Sequence, residues 1–200
     1  VNEDRLPPPI RDVVLPAAAI SQRVRELASD ISRDFRGRDV YVVGILTGAF
    51  IFACDLIRRL RVPAHLDFIS ISRYEKRPGT GEVKILKDLQ DEILGKEVLI
   101  VEDIVDTGLT LNYLIRNLSN RRPASLAICT LLDRPDLRIA QIPIRYVGFN
   151  VSSEFLVGYG LDFRGFYRHL PYIATMKDRD SLPPGKGGKG SGGGVLRTTR

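Results

Sequence analysis

The 200-residue sequence predicts an α/β fold, a doubly wound and mostly parallel sheet flanked by helices. Three observations carry this expectation. Short apolar runs with the look of buried strands alternate with segments of helical periodicity. The clearest run, Val98 to Val101, leads through an acidic pair into a glycine-bearing turn and a helix, the place where such sheets bind ligands. Finally, 44% hydrophobic residues and a mean hydropathy of -0.05 describe one soluble domain of ordinary size.

The elements follow in order. From Ala17 to Phe35, apolar residues recur at Ile20, Val24, Leu27, Ile31 and Phe35, an amphipathic helix that covers one sheet face. Asp39 to Leu46 (DVYVVGIL) reads as a first buried strand, followed after Thr47-Gly48 by a helix from about Ala49 to Leu60. His65 to Ser72 is a strand with less regular alternation, and Arg73 to Gly81, which holds Pro78, Gly79 and Gly81, reads as a mobile loop. Lys84 to Leu86, the acidic turn Asp88 to Glu92 and the central strand come next, then a helix with Leu111, Leu114, Ile115 and Leu118 on one face. Ser125 to Leu132 and Arg145 to Phe149 are further strands. The stretch SSEFLVGYGLDFRGFYRHLPYIATM mixes glycine and aromatics without helical period and is expected as an appended hood. No internal repeat is seen.

The chain turns on Val98 to Thr110 (VLIVEDIVDTGLT). Gly108, two hydroxyls and free N–H groups at a helix N-terminus suit a phosphate, and Glu102, Asp103 and Asp106 could hold a hard cation such as Mg²⁺. On these residues alone, a buried strand and a helix capped by Asp106 or Thr107 is the competing description. Charge narrows the choice of partner. Of the net +6, four cations lie between Pro183 and Arg200 with no acid, which leaves 26 cations against 24 acids for the rest. A body this close to neutral argues against a nucleic-acid surface. Cys54 and Cys129 sit in apolar segments, as reduced buried thiols would, and His65 and His169 lack zinc-site spacing. No run is long enough to cross a membrane, and the opening VNEDRLPPPI has no apolar core of a secretory leader, so the expected location is cytoplasmic.

VLIVEDIVDTGLT resembles the phosphoribosyl-pyrophosphate (PRPP) signature of type I phosphoribosyltransferases, and VLIVEDIVDTG in particular the hypoxanthine-guanine branch. The resemblance extends from about Asp12 to Lys177 and implies the type I phosphoribosyltransferase fold with a small C-terminal hood. It implies that Glu102 and Asp103 lie beside the ribose hydroxyls and the metal-bound PRPP, that Asp106 exchanges a proton with purine N7, and that Thr107, Gly108 and Thr110 cradle the 5′-phosphate. Leu46-Thr47-Gly48 is similar to the family's pyrophosphate loop, which carries a non-proline cis peptide, and Arg73-Tyr74 opens its catalytic lid. Phe155 corresponds to the aromatic that stacks on the purine, Leu156 to the residue whose backbone reads the base edge, Asp162 to a second metal-linked acid and Arg168 to a pyrophosphate contact. Read without the family, Phe155, Phe163 and Phe166 are expected as core aromatics, with a base platform as the alternative.

Three positions depart from the family pattern. Thr47 stands where Lys or Arg is frequent, and Arg73 where Ser is usual. Arg134, in LLDRPDL, takes the place of the lysine that donates to the purine's exocyclic oxygen; its planar fork is not interchangeable with an ammonium, so base preference is open among hypoxanthine, guanine and xanthine. The implied reaction is Mg²⁺-dependent transfer of phosphoribose from PRPP to a 6-oxopurine, in a homodimer or homotetramer. Alternatives are a xanthine- or guanine-preferring relative and an RNA-binding regulator on the same fold. The expected organisation is a flexible extension at 1–11, the transferase domain at 12–180 with the hood at about 150–177, and a disordered Gly-rich basic tail at 181–200.

Overall fold

The computed structural model describes residues 10–74 and 82–176. Its elements are β1 (Ile10–Leu15), α1 (Ala17–Asp34), β2 (Val40–Leu46), α2 (Phe50–Ile57), β3 (Ala64–Tyr74), β4 (Glu82–Lys87), β5 (Glu97–Val105), α3 (Leu109–Ser119), β6 (Ser125–Asp133), β7 (Tyr146–Asn150), β8 (Leu156–Val157) and β9 (Ile173–Met176). Six strands form the main sheet in the order β4-β3-β2-β5-β6-β7. All neighbours are parallel except β3 and β4, so the sheet is the mostly parallel one the sequence predicts.

The strands alternate between two cores. Val40, Val42, Leu99 and Val101 face α1 and α2, where they meet Ile20, Val24, Leu27, Ile31, Phe52 and Leu56. Tyr41, Val43, Val98 and Ile100 face α3 and pack on Leu111, Leu114 and Leu118. Both faces of β2 and β5 are therefore dry, which is why these strands read as unbroken apolar runs.

Three details differ from the sequence reading. The central strand runs on to Val105, so Glu102 and Asp103 belong to the strand itself, Glu102 in register with Thr130 of β6. Arg73 and Tyr74 are not loop: they end β3, in register with Val83 and Glu82 of β4. The rest of that expected loop, 75–81, lies outside the described residues, as do residues 1–9 and 177–200. Ile10 and Arg11, assigned above to a flexible extension, begin β1, which pairs antiparallel with β9. The hood is thus a three-stranded sheet, β1-β9-β8, built from both ends of the described chain. Ile10 is buried in it with Val157, Leu170 and Ala174 because only a pairing across the whole chain covers that side chain. Of the two thiols, Cys129 is buried and Cys54 only partly so, and both are free.

Candidate active site

The site assembles where β2 and β5, adjacent and parallel, end in turns on the same edge of the sheet. β2 leaves through Leu46-Thr47, whose peptide bond is cis, into Gly48 and then α2. β5 leaves through Asp106-Thr107-Gly108 into α3. Gly108 has φ +76 at the N-cap of α3, a left-handed conformation that favours glycine, and a Cβ there would stand 2.6 Å from the Ile142 side chain. No side chain caps α3, which sets aside Asp106 and Thr107 as ordinary caps. The N–H groups of its first turn, including that of Thr110, have no acceptor within the helix and are open to an anion.

The β2 turn touches a side chain of β5. A Cβ on Gly48 would lie 1.7 Å from the Asp103 Oδ2, so the glycine backbone is pressed against that carboxylate. Asp103 is fixed from its own strand, its Oδ1 accepting from the Ile104 N–H at 2.9 Å. Beside it the Glu102 Oε1 accepts from the Asp103 N–H at 3.1 Å. Burial, and then the charge of Asp103, push the Glu102 carboxyl well above the usual carboxylate range. A crowded acid pair of this kind is stabilised by a cation. Among the described residues no three acids, histidines or cysteines converge as a metal cage. Asp162, the third acid expected at the metal, is engaged elsewhere: it pairs with Arg168 Nη2 at 2.7 Å and accepts from the Gly165 N–H at 2.6 Å.

Arg134 lies beside Asp106, not out in solvent. Its residue is 9% exposed, its Nη1 is 3.1 Å from Asp106 Oδ1, and its Nη2 donates to the Glu154 carbonyl immediately before Phe155. The Arg134 Nε is buried without a partner. Asp106 itself keeps 46% of its side chain exposed, open to a ligand. Phe155 is partly buried and meets Phe163 edge to face at 5.8 Å, while Leu156 is buried in β8. One fork therefore links the acid of the β5 turn to the segment that carries the hood aromatic.

Arg138 is a site residue that the sequence reading missed. Its Nε donates to the Asp106 carbonyl at 3.0 Å, and its Nη2 pairs with Asp133. The Ile139 and Ala140 N–H groups both bond the Thr107 carbonyl at 3.0 Å, so the segment after β6 straps down the phosphate-type turn. An arginine that binds a carbonyl some thirty residues away leaves no local pattern in the sequence.

Comparison with known proteins agrees with this geometry. A phosphoribosyl transferase domain model matches residues 12–164. The chain is 46% identical over 180 residues to the hypoxanthine-guanine phosphoribosyltransferase of Mycobacterium avium, covering 86% of this chain and 89% of that one. It is 47% identical over 168 residues to the hypoxanthine phosphoribosyltransferase of Escherichia coli, at 82% and 94% coverage. Among solved structures it is similar to a hypoxanthine-guanine phosphoribosyltransferase of Bacillus anthracis, with a TM-score of 0.81, 44% identity and coverage of 84% and 99%. A Staphylococcus aureus hypoxanthine phosphoribosyltransferase gives a TM-score of 0.83 at 42% identity, with 87% and 95% covered.

Proposed function

Because the chain belongs to the hypoxanthine-guanine phosphoribosyltransferase family, we propose that it transfers the 5-phosphoribosyl group from PRPP to N9 of hypoxanthine or guanine, releasing pyrophosphate, in purine salvage. The observation that carries this reading is Gly48 of the β2 turn packed on the Asp103 carboxylate of β5, the strand that runs on into the Asp106–Thr110 turn. PRPP has a phosphate at one end and a diphosphate at the other, and two adjoining turns with free backbone donors suit both ends at once.

The chemistry follows from the chain's own groups. Purine N9 forms a bond to ribose C1 as the bond from C1 to the diphosphate oxygen breaks. The developing positive charge on the ring lies over Glu102 and Asp103, whose carboxylates stabilise it. Asp106 takes the proton from N7, and Arg134, fixed by Asp106 and the Glu154 carbonyl, donates toward the exocyclic oxygen at C6. Phe155 stacks on the base and the Leu156 backbone reads its edge. Thr107, Gly108 and Thr110 hold the 5′-phosphate, and Leu46, Thr47, Gly48 and Arg168 hold the diphosphate, with Arg73 and Tyr74 at the start of the lid. Glu102 and Asp103 would hold Mg²⁺, which would supply charge neutralisation for the diphosphate, while Asp162 would have to leave Arg168 to join them.

Partners in this reading are small molecules, PRPP and a 6-oxopurine, in a cytoplasmic homodimer or homotetramer; among the described residues no helix is long and apolar enough to cross a membrane. A second reading, preference for xanthine or guanine, rests on Arg134 standing in the lysine's place, since its planar fork is not interchangeable with an ammonium. The test is nucleotide formation from PRPP and Mg²⁺ with each of hypoxanthine, guanine, xanthine and adenine. Product with the 6-oxopurines and none with adenine is expected, and no product with any base overturns the reading.

A further inference from the structure

The hood carries its own contact to the pyrophosphate-type loop, and it is made by backbone. Gly160 has φ +103, and a Cβ there would lie 2.1 Å from the Gly48 carbonyl oxygen, so the two glycines sit one upon the other. Gly48 thus packs against both the Asp103 carboxylate and Gly160. Gly160 is held in place by a ladder: its N–H donates to the Arg168 carbonyl at 3.0 Å, and Arg168 Nη1 donates back to the Gly160 carbonyl at 2.6 Å.

What fixes this ladder against the body of the protein is the residue before it. Tyr159 is 7% exposed and has φ +49, a conformation that a tyrosine rarely adopts. Its hydroxyl donates to Asp55 Oδ2 on α2 at 2.7 Å. Burial, and then Asp55, raise the phenol's pKa, so it remains a donor. α2 is the helix that the Leu46-Thr47-Gly48 turn leads into. Both ends of the Gly48–Gly160 contact are thus referred to one helix, Gly48 through the turn that enters α2 and Gly160 through Tyr159.

We propose that Tyr159 and Asp55 are a positioning pair for diphosphate binding: their hydrogen bond seats Gly160 on Gly48 and so holds the loop in the geometry that receives the diphosphate. The inference rests on the transferase reading above, and it concerns two residues that touch no substrate. Its consequence is a selective effect on one substrate. Losing the bond loosens Gly48 and leaves the base subsite, held by Arg134, Phe155 and β8, as it was.

The experiment compares Tyr159→Phe, Asp55→Ala and Asp55→Asn in the full chain. The asparagine keeps an acceptor oxygen for Tyr159 while removing the charge that Arg59 meets at 3.5 Å and Arg58 at 3.8 Å. We expect Tyr159→Phe and Asp55→Ala to raise KM for PRPP roughly three- to tenfold, the scale of one partly buried hydrogen bond. They should weaken calorimetric binding of pyrophosphate with Mg²⁺ to a similar extent and leave KM for hypoxanthine near wild type, with the thermal midpoint lowered by a few degrees because one buried partner is left unpaired. The double variant should be no worse than either single one, and Asp55→Asn should stay near wild type. Equal rises in both KM values, an Asp55→Asn as impaired as Asp55→Ala, or unchanged pyrophosphate binding overturns the pair. Failure of the function itself would appear differently, as a wild-type chain that makes no nucleotide.

Discussion

At the scale of single residues, Arg134 and Gly48 separate the two halves of the reaction. Arg134 bridges Asp106 and the Glu154 carbonyl from a buried position, so its removal leaves an acid and a carbonyl without their donor. Arg134→Ala is expected to raise KM for hypoxanthine about tenfold or more, in keeping with loss of a charged hydrogen bond, with KM for PRPP unmoved. Arg134→Lys should retain turnover and shift the ratio of kcat/KM among hypoxanthine, guanine and xanthine, because an ammonium cannot reach both partners as a fork does. Steady-state kinetics with the three bases decides this, and identical ratios would remove Arg134 from the base site. Gly48 acts at the other end. A methyl group there collides with the Asp103 carboxylate, so Gly48→Ala must displace either the loop or the acid. We expect kcat/KM for PRPP to fall about 100-fold, as displacements near 1 Å do, while the thermal midpoint stays close to wild type.

At the scale of elements, one acid does what the strand pattern does not announce. Asp67 of β3 is 6% exposed. Its Oδ2 accepts from the Tyr41 hydroxyl at 2.9 Å and the Gln90 N–H at 2.7 Å, and its Oδ1 from the Phe68 N–H at 2.6 Å and Lys87 Nζ at 3.2 Å. β2, β3, β4 and the turn after it are joined there. Burial raises the Asp67 pKa, but the N–H groups of Gln90 and Phe68, then Tyr41 and Lys87, outweigh it and leave the pKa lowered. A carboxyl whose folded pKa is depressed contributes stability above its unfolded pKa of 3.8, and that contribution is lost as pH falls through the folded value. Asp67→Asn turns its NH₂ toward two donors in either orientation, so a loss of about 2 kcal/mol at neutral pH is expected. Its thermal midpoint should also fall less steeply than wild type below about pH 4. Parallel acid limbs in a pH series of melting curves would refute the linkage. The sequence made β2, β5 and β6 legible because dry faces on both sides demand apolar runs. It made the acids and glycine of the β5 turn legible because they lie within thirteen consecutive positions. Asp67 and Arg138 escaped for the opposite reason: the partners that tie them to other elements are 20 to 33 residues away, and a lone charge in a strand or loop has no period.

At the scale of the whole molecule, the hood depends on a strand from the other end of the described chain. The sequence IRDVVL alternates too weakly to declare itself, since only Ile10 is fully buried, and IATM is too short; each becomes a strand through the other. The consequence reaches the base subsite in two steps. β1 pairs with β9 at Ile10–Met176, Val13–Ala174 and Leu15–Ile173, and β9 pairs with β8 at Leu156–Thr175, which places the proposed base-reading backbone one strand from β1. Without β1, β9 becomes an edge, and Val157, Leu170 and Ala174 lose the cover of Ile10. A chain that starts at Pro16 should therefore keep the six-stranded sheet and its turns but hold the purine poorly. We expect its KM for hypoxanthine to rise more than its KM for PRPP, together with a lower thermal midpoint, because a three-stranded sheet reduced to two is only marginally stable. Ile10→Ala isolates the packing part of this, with a loss of about 2 to 5 kcal/mol if the hood melts with the body in one transition. A truncated chain with both KM values unchanged would mean that β1 covers the hood without shaping it, and the base subsite would then have to be held by Arg134 and the β5 turn alone.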